Sequence, residues 1–160
     1  MKIRASPELS KKADTTMNTS VPTATPDEQL RIVKDYFRKV GAGDPTLLDL
    51  FTDDAQAFFP KRGVMNGKGE FVTFVQALGA AVSRFFHDPE LMVFTQGGNR
   101  TVVEGIEVGE LADGTPFPGD AASGGRFCNV FEFRGSLISR MHIYADPDLA
   151  GKHNDLFAWS

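Results

Sequence analysis

RFCNVFEFRGSLISRMHIYAD, residues 126–146, is the stretch that decides the fold. β-Branched and aromatic residues fill two arms, Arg126–Phe133 and Leu137–Ala145, with a tight turn at Arg134-Gly135-Ser136, so the stretch reads as a β-hairpin. Side chains alternate along a strand, which puts Phe127, Asn129, Phe131 and Phe133 on one face. Asn129 is then a lone amide among three phenylalanines. A buried primary amide needs hydrogen-bond partners, so Asn129 is either locked to backbone or aimed into a cavity. In the second arm Met141, Ile143 and Ala145 alternate with His142, Tyr144 and Asp146.

Working back from the hairpin, the chain is strand-like over Leu91–Thr95 and Thr101–Leu111, with turns at Gly97-Gly98-Asn99 and Asp113-Gly114. A Gly/Pro-rich stretch leads to Gly125. Before the strands, Phe71, Phe74, Val75, Leu78, Val82 and Phe85 share one helical face, and the spacing predicts a helix from about Lys68 to Phe85. The segment KRGVMNGKG is expected to be a loop, Ala55–Phe59 a short strand ended by Pro60, and Asp53-Asp54 a turn. A short helix is expected from Asp44-Pro45 through Phe51. The first helix opens at Thr25-Pro26-Asp27-Glu28, a capping box with proline at the first helical position. Leu30, Val33, Phe37 and Val40 follow helical spacing up to Gly41-Ala42-Gly43, with Tyr36 beside that stripe.

Three helices followed by an antiparallel meander predict an α+β fold, with the helices covering one face of a curved sheet. Residues 1–24 are rich in Ser, Thr, Pro and Lys without periodicity and are expected to be a disordered extension or tag, with Met17 as an alternative first residue. Residues 25–150 are expected to form the domain and 151–160 a tail.

With 160 residues, 14 of them Phe, the chain has enough apolar surface for one sizeable core. A net charge of −4 leaves no basic footprint for nucleic acid. No apolar run approaches the roughly 18 residues that span a bilayer, so no membrane partner is expected. Cys128 is the single cysteine and cannot form an intrachain disulfide, which fits a cytoplasmic location. No two histidines have metal-ligand spacing and Cys128 has no partner, so no metal is expected; no other cofactor is expected either.

The order helix, Gly43-Asp44, short helix, Phe51-Thr-Asp-Asp-Ala55, strand, Pro60, Gly67, helix, and the closing VFEFRGSLISRMHIYAD resembles the SnoaL-like group of the nuclear-transport-factor-two-like superfamily over roughly residues 27–148. The resemblance implies a cone-shaped sheet closed by helices around a deep apolar pocket. Its members include ketosteroid isomerases, polyketide cyclases, limonene-epoxide hydrolases and scytalone dehydratases, alongside domains with no known chemistry, so the fold alone leaves function open. Matched to the isomerases, whose oxyanion hole combines a tyrosine with a protonated aspartate, the tyrosine falls on Tyr36 and the aspartate on Asn129. The general base falls on Phe59, which cannot take a proton. Two donors are kept and the base is lost.

A replacement base must come from another strand. Between Thr101 and Leu111, Val102, Glu104, Ile106 and Val108 share one face, while Val103, Gly105, Glu107 and Gly109 share the other. Counting back from the hairpin turn, the resemblance puts the Glu104 face on the pocket side. Glu104 is then one carboxylate on an apolar wall, suited to acid–base work, or else an edge residue paired with Arg126 or another cation. The expected catalytic set is Tyr36, Glu104 and Asn129. Phe59, His87, Phe127, Phe131, Met141 and Ile143 are expected to line the pocket, with His87 at its mouth as a further acid–base candidate. His142 is expected on the outer face, in a dimer contact, and Cys128 as a structural thiol. Two functions remain open: a cofactor-independent enzyme moving protons on a small, apolar, cyclic substrate (isomerase, cyclase, dehydratase or hydrolase), and a non-catalytic apolar-ligand-binding or dimerisation module. A homodimer is expected in either case.

Overall fold

The computed structural model describes residues 23–119 and 124–157. Helix α1 (Pro26–Ala42) begins with the expected capping box, in which Thr25 and Glu28 exchange side chain to backbone hydrogen bonds. It ends at Gly43, whose φ of 60° is the left-handed conformation that a side chain would strain. A 3₁₀ helix, Pro45–Leu50, follows. Next come β1 (Phe51–Phe59), β2 (Gly63–Asn66), α2 (Gly67–Ala81), β3 (Val82–His87), β4 (Val93–Gly97), β5 (Arg100–Leu111), β6 (Pro116–Phe117), β7 (Arg126–Arg134) and β8 (Leu137–Ala145). The expected extension falls outside the described residues except for Thr23 and Ala24, and Ala24 is buried with its N–H donating to the carbonyl of Gly135.

The strands form one mixed sheet in the order β2-β1-β8-β7-β5-β3, with β4 and β6 also paired to β5. Together with the helices it makes the α+β cone expected of the fold. The β7–β8 hairpin at its centre has the predicted arms. One pairing is parallel, β1 with β8, because the chain returns to β1 only after the whole meander. α1 lays Ile32, Val33, Tyr36 and Phe37 on the inner face of the sheet, so Tyr36 belongs to the buried stripe itself. Phe51, Phe71, Phe127, Phe131, Phe133, Ile138 and Met141 complete the core.

Four local expectations need correction. The helix predicted to reach Phe85 stops at Ala81, and Val82–His87 is strand β3, hydrogen-bonded to β5. Val82, Phe85 and Phe86 suit a pleated surface, and a backbone ladder with β5 outweighs a further helical turn. The supposed loop before α2 contains β2, which pairs with β1 from Gln56 to Phe59. Asp53-Asp54 lies within β1, where the register against β8 shifts between Phe51 and Gln56. The strand expected from Leu91 starts at Val93, since Pro89–Leu91 is a 3₁₀ turn.

Candidate active site

The pairing of β5 with β7 sets which side chains face the cone. Val103 lies opposite Asn129, Gly105 opposite Phe127 and Thr101 opposite Phe131. Residues opposite one another share a face, so Thr101, Val103, Gly105 and Glu107 point inward with the phenylalanines of β7. Burial agrees: Thr101, Val103 and Glu107 are buried, and Glu104 is exposed. The placement of Glu104 on the pocket wall is therefore corrected. A one-residue change of parity exchanges the two faces completely, and counting from the hairpin turn does not follow the β5–β7 register. Glu104 stands beside Cys128 on the outer face, where burial first and the Glu104 charge second push the thiol up.

The inward carboxylate is Glu107. β5 changes both of its partners around this residue, from β4 and β7 to β3 and β6. The Glu107 N–H donates to the carbonyl of Gly125 at 2.7 Å. Gly125 is required there, since a Cβ on it would lie 2.4 Å from the Glu107 carbonyl oxygen. Opposite Glu107 in the ladder is His87 at the end of β3. Its Nε2 is 3.6 Å from a Glu107 carboxylate oxygen, and both side chains are only 6% exposed. At that distance the contact is electrostatic rather than a formed hydrogen bond. The imidazole packs between aromatic rings, 4.9 Å from Phe37, 5.0 Å from Phe85 and 5.1 Å from Phe127 between centroids. Its Nδ1 is buried without a hydrogen-bond partner among the described residues.

Tyr36 reaches the same interior from α1, edge-on to Phe131 at 5.2 Å and Phe37 at 5.1 Å. Burial, and secondarily the charge of Glu107, raises its phenol well above the ordinary value, so Tyr36 stays a proton donor at any physiological pH. Asn129 is 3% exposed, and its Oδ1 is buried without a partner. A contrast on the same inner surface shows how uncommon this is. Gln29 is equally buried, yet its amide donates to the carbonyls of Ala24 and Gly98 and accepts from Thr101 Oγ1. Gln29 is locked, whereas Asn129 keeps its acceptor free. An unsatisfied buried polar atom costs about 1–3 kcal/mol, so two of them on one aromatic-walled surface mark where the fold forgoes stability.

The Asn129–Val103 pair and the Glu107–His87 pair are separated by four residues along β5, or about 13 Å at the usual strand rise. Phe127 and Gly105 lie between them. A cleft of about 530 Å³ opens beside α1 and α2 and reaches Tyr36 and Ile143. Ile143 is the β8 neighbour of Asn129. Of the other expected wall residues, Phe127, Phe131 and Met141 are buried in the core, and Phe59 packs on Phe74 at 5.0 Å. His142 is on the outer face as expected, where Arg140 and Gln56 contact its ring. Tyr36, Asn129 and His87 are each buried on the inner side of the sheet, where Glu107 and not Glu104 is the carboxylate, but the cleft beside α1 and α2 reaches only Tyr36 of these four. Sequence reasoning missed Glu107 although a signal existed. Gly105 and Gly109 alternate with it, and small residues on a strand face leave room for inward aromatic rings.

The SnoaL-like domain matches residues 33–141 of the chain. No curated protein matches it. Solved structures that share the fold include an NTF2-like protein from Anabaena variabilis (20% identity, TM-score 0.64, covering 79% of this chain and 96% of the other). A presumed polyketide cyclase from Xanthomonas campestris pv. campestris is similar at 18% identity and TM-score 0.63, covering 75% of this chain and 91% of the other. TerC, co-crystallised with polyporic acid, is similar at 15% identity and TM-score 0.58, covering 74% and 92%. With the cone fold, the helices across its inner face and the matched domain taken together, the chain belongs to the SnoaL-like family.

Proposed function

We propose that this protein is a cofactor-independent enzyme that moves a proton on a small, apolar, ring-containing substrate. The observation that carries the reading is the buried His87–Glu107 pair, on the same inner surface as the Tyr36 phenol and the Asn129 amide. In this reading the ring proton sits on Nε2, towards Glu107, and Nδ1 is the lone-pair atom that takes a proton from carbon. Glu107 orients the ring and balances the imidazolium that forms, as a carboxylate does for histidine in other acid–base pairs. Tyr36 supplies an O–H and Asn129 an amide towards a carbonyl or developing oxyanion. The dry aromatic wall strengthens each of these interactions. His87 then returns the proton to another atom of the substrate, which makes the reaction an isomerisation, cyclisation or elimination.

The co-crystallisation of TerC with polyporic acid supports a ring-containing ligand. Phe59, at the place of the isomerase base, favours the second reading, in which the interior holds an apolar ligand without turnover. We also propose a homodimer through the outer face of the sheet, where Phe58, His142 and Tyr144 lie together. A monomer in sedimentation at micromolar concentration removes this dimer. Among the described residues no helix is long and apolar enough to cross a membrane. We place the protein in the cytoplasm, a compartment that suits its free thiol.

The test of turnover is exchange of the α-protons of β-tetralone, a bicyclic ketone, in deuterium oxide followed by NMR. Exchange above the buffer rate that is lost in His87→Ala supports the enzyme. Exchange at the buffer rate, with tetralone bound, leaves the binding module.

A further inference from the structure

α1 separates two clefts. Tyr36, Lys39 and Val40 border the first, Lys34, Phe37 and Arg38 border a second of about 550 Å³, and Gly41 lies at the edge of both. Lys34, Phe37 and Arg38 follow the i, i+3, i+4 spacing of one helix face, so their side chains converge on the second cleft. Phe37 and His87 form its floor, and Phe86, Met92 and Phe94 its walls. The histidine of the proposed proton transfer therefore borders a cleft that the Tyr36 side does not use.

The rim has a definite charge pattern. Arg38 is engaged, 2.7 Å from Asp35 and 3.6 Å from Asp44. Lys34 forms no ion pair among the described residues, and its Nζ sits 5.6 Å from the centroid of the Phe94 ring. Glu90 shares the rim without pairing to Lys34. A cation over an aromatic wall is held weakly by the ring and keeps its capacity to bind an anion. The cleft thus combines aromatic and thioether walls, one available ammonium at its mouth and an imidazole at its base. Those three features match a planar aromatic ring with an anionic group at one end.

We propose that this cleft binds an aromatic carboxylate, with the ring against Met92 and Phe94, the carboxylate on Lys34 and the inner edge of the ring against His87. The inference goes beyond the proton-transfer reading: it assigns a separate ligand site on the other side of α1 from Tyr36, and the two share only His87.

The probes are β-naphthoate and its neutral counterpart β-naphthamide, titrated into the full chain with amide-resolved NMR. The expected result is that naphthoate shifts the amides of residues 34–41 and 86–94 and binds at least about fivefold more tightly than naphthamide, close to 1 kcal/mol. Lys34→Gln, at an exposed position that the fold does not need, should erase the preference, and Lys34→Arg should retain it. An unchanged preference in Lys34→Gln, shifts centred on residues 71–79 of the first cleft, or no naphthoate binding each overturn the inference. Tetralone exchange on the same preparations separates the two claims. Lost exchange with the naphthoate preference intact refutes turnover alone, and the reverse outcome refutes the aromatic-acid site alone.

Discussion

Gly105→Ala discriminates between the two possible orientations of β5 by the sign of its effect. Gly105 adopts no positive φ, so alanine is allowed by the backbone. If residue 105 faced solvent, the substitution would restrict the unfolded chain and stabilise the protein by about 0.4–1 kcal/mol. In the structure Gly105 faces inward, and an added Cβ would lie 2.8 Å from Phe127 Cζ, 2.9 Å from Cε1 and 3.4 Å from Met92 Cγ. Phe127 is 4% exposed and cannot swing into solvent. Displaced, it would press on His87, 5.1 Å away, and Phe37, 5.5 Å away. Overpacking of this kind costs about 1–3 kcal/mol, which lowers the melting temperature by roughly 3–10 °C in a chain of this size. Thermal melting by circular dichroism, with a urea titration showing an unchanged slope, reads the effect. A melting temperature equal to or above that of the parent protein would refute the inward assignment of Gly105, and with it that of Glu107.

Three other outcomes follow from the same geometry. The raised Tyr36 phenol makes the folded state lose stability as pH climbs past the unfolded value of 10.0. Tyr36→Phe should flatten that alkaline loss in urea titrations, and an unchanged slope contradicts the burial of the hydroxyl. His142 is held below its usual 6.5, by burial first and then by Arg140, with Glu132 opposing. Its folded form resists protonation, so stability is full above about pH 6.5 and falls as the solution is acidified through that value. His142→Gln should remove part of this acid loss, and an identical pH–stability curve argues against the contact with Arg140. Gly109→Ala would put a Cβ 2.0 Å from the Arg84 carbonyl oxygen and 2.4 Å from Phe117 Cζ. Soluble expression with native-like melting would show that β3 does not pair where the structure has it.

The legible parts of the chain were those where one local rule operates alone. The α1 capping box, its glycine stop and the β7–β8 hairpin each rest on a few adjacent residues, and each is where the sequence puts it. The α2–β3 boundary was hidden because Val82 and Phe85 continue the helical spacing of Phe71, Phe74, Val75 and Leu78. Only the partner strand, far along the chain, turns those residues into a ladder. Asn129 was recognisable as a polar residue among phenylalanines, and its orphaned oxygen explains why. Glu107 was harder to place, because each face of β5 carries apolar residues and a glutamate, and only the glycines beside Glu107 set its face apart. The pairing of Val103 with Asn129, which no local pattern encodes, chooses between the two faces.

The central claim is that Glu107, with His87, serves the proton transfer and that Glu104 does not. Deuterium exchange into β-tetralone measured for Glu107→Gln and Glu104→Gln side by side is the direct test. The account predicts that Glu107→Gln loses at least about a hundredfold in exchange rate, the usual worth of a positioned acid–base group, while Glu104→Gln stays within about twofold of the parent protein. A loss confined to Glu104→Gln, or equal rates in both variants, would contradict it.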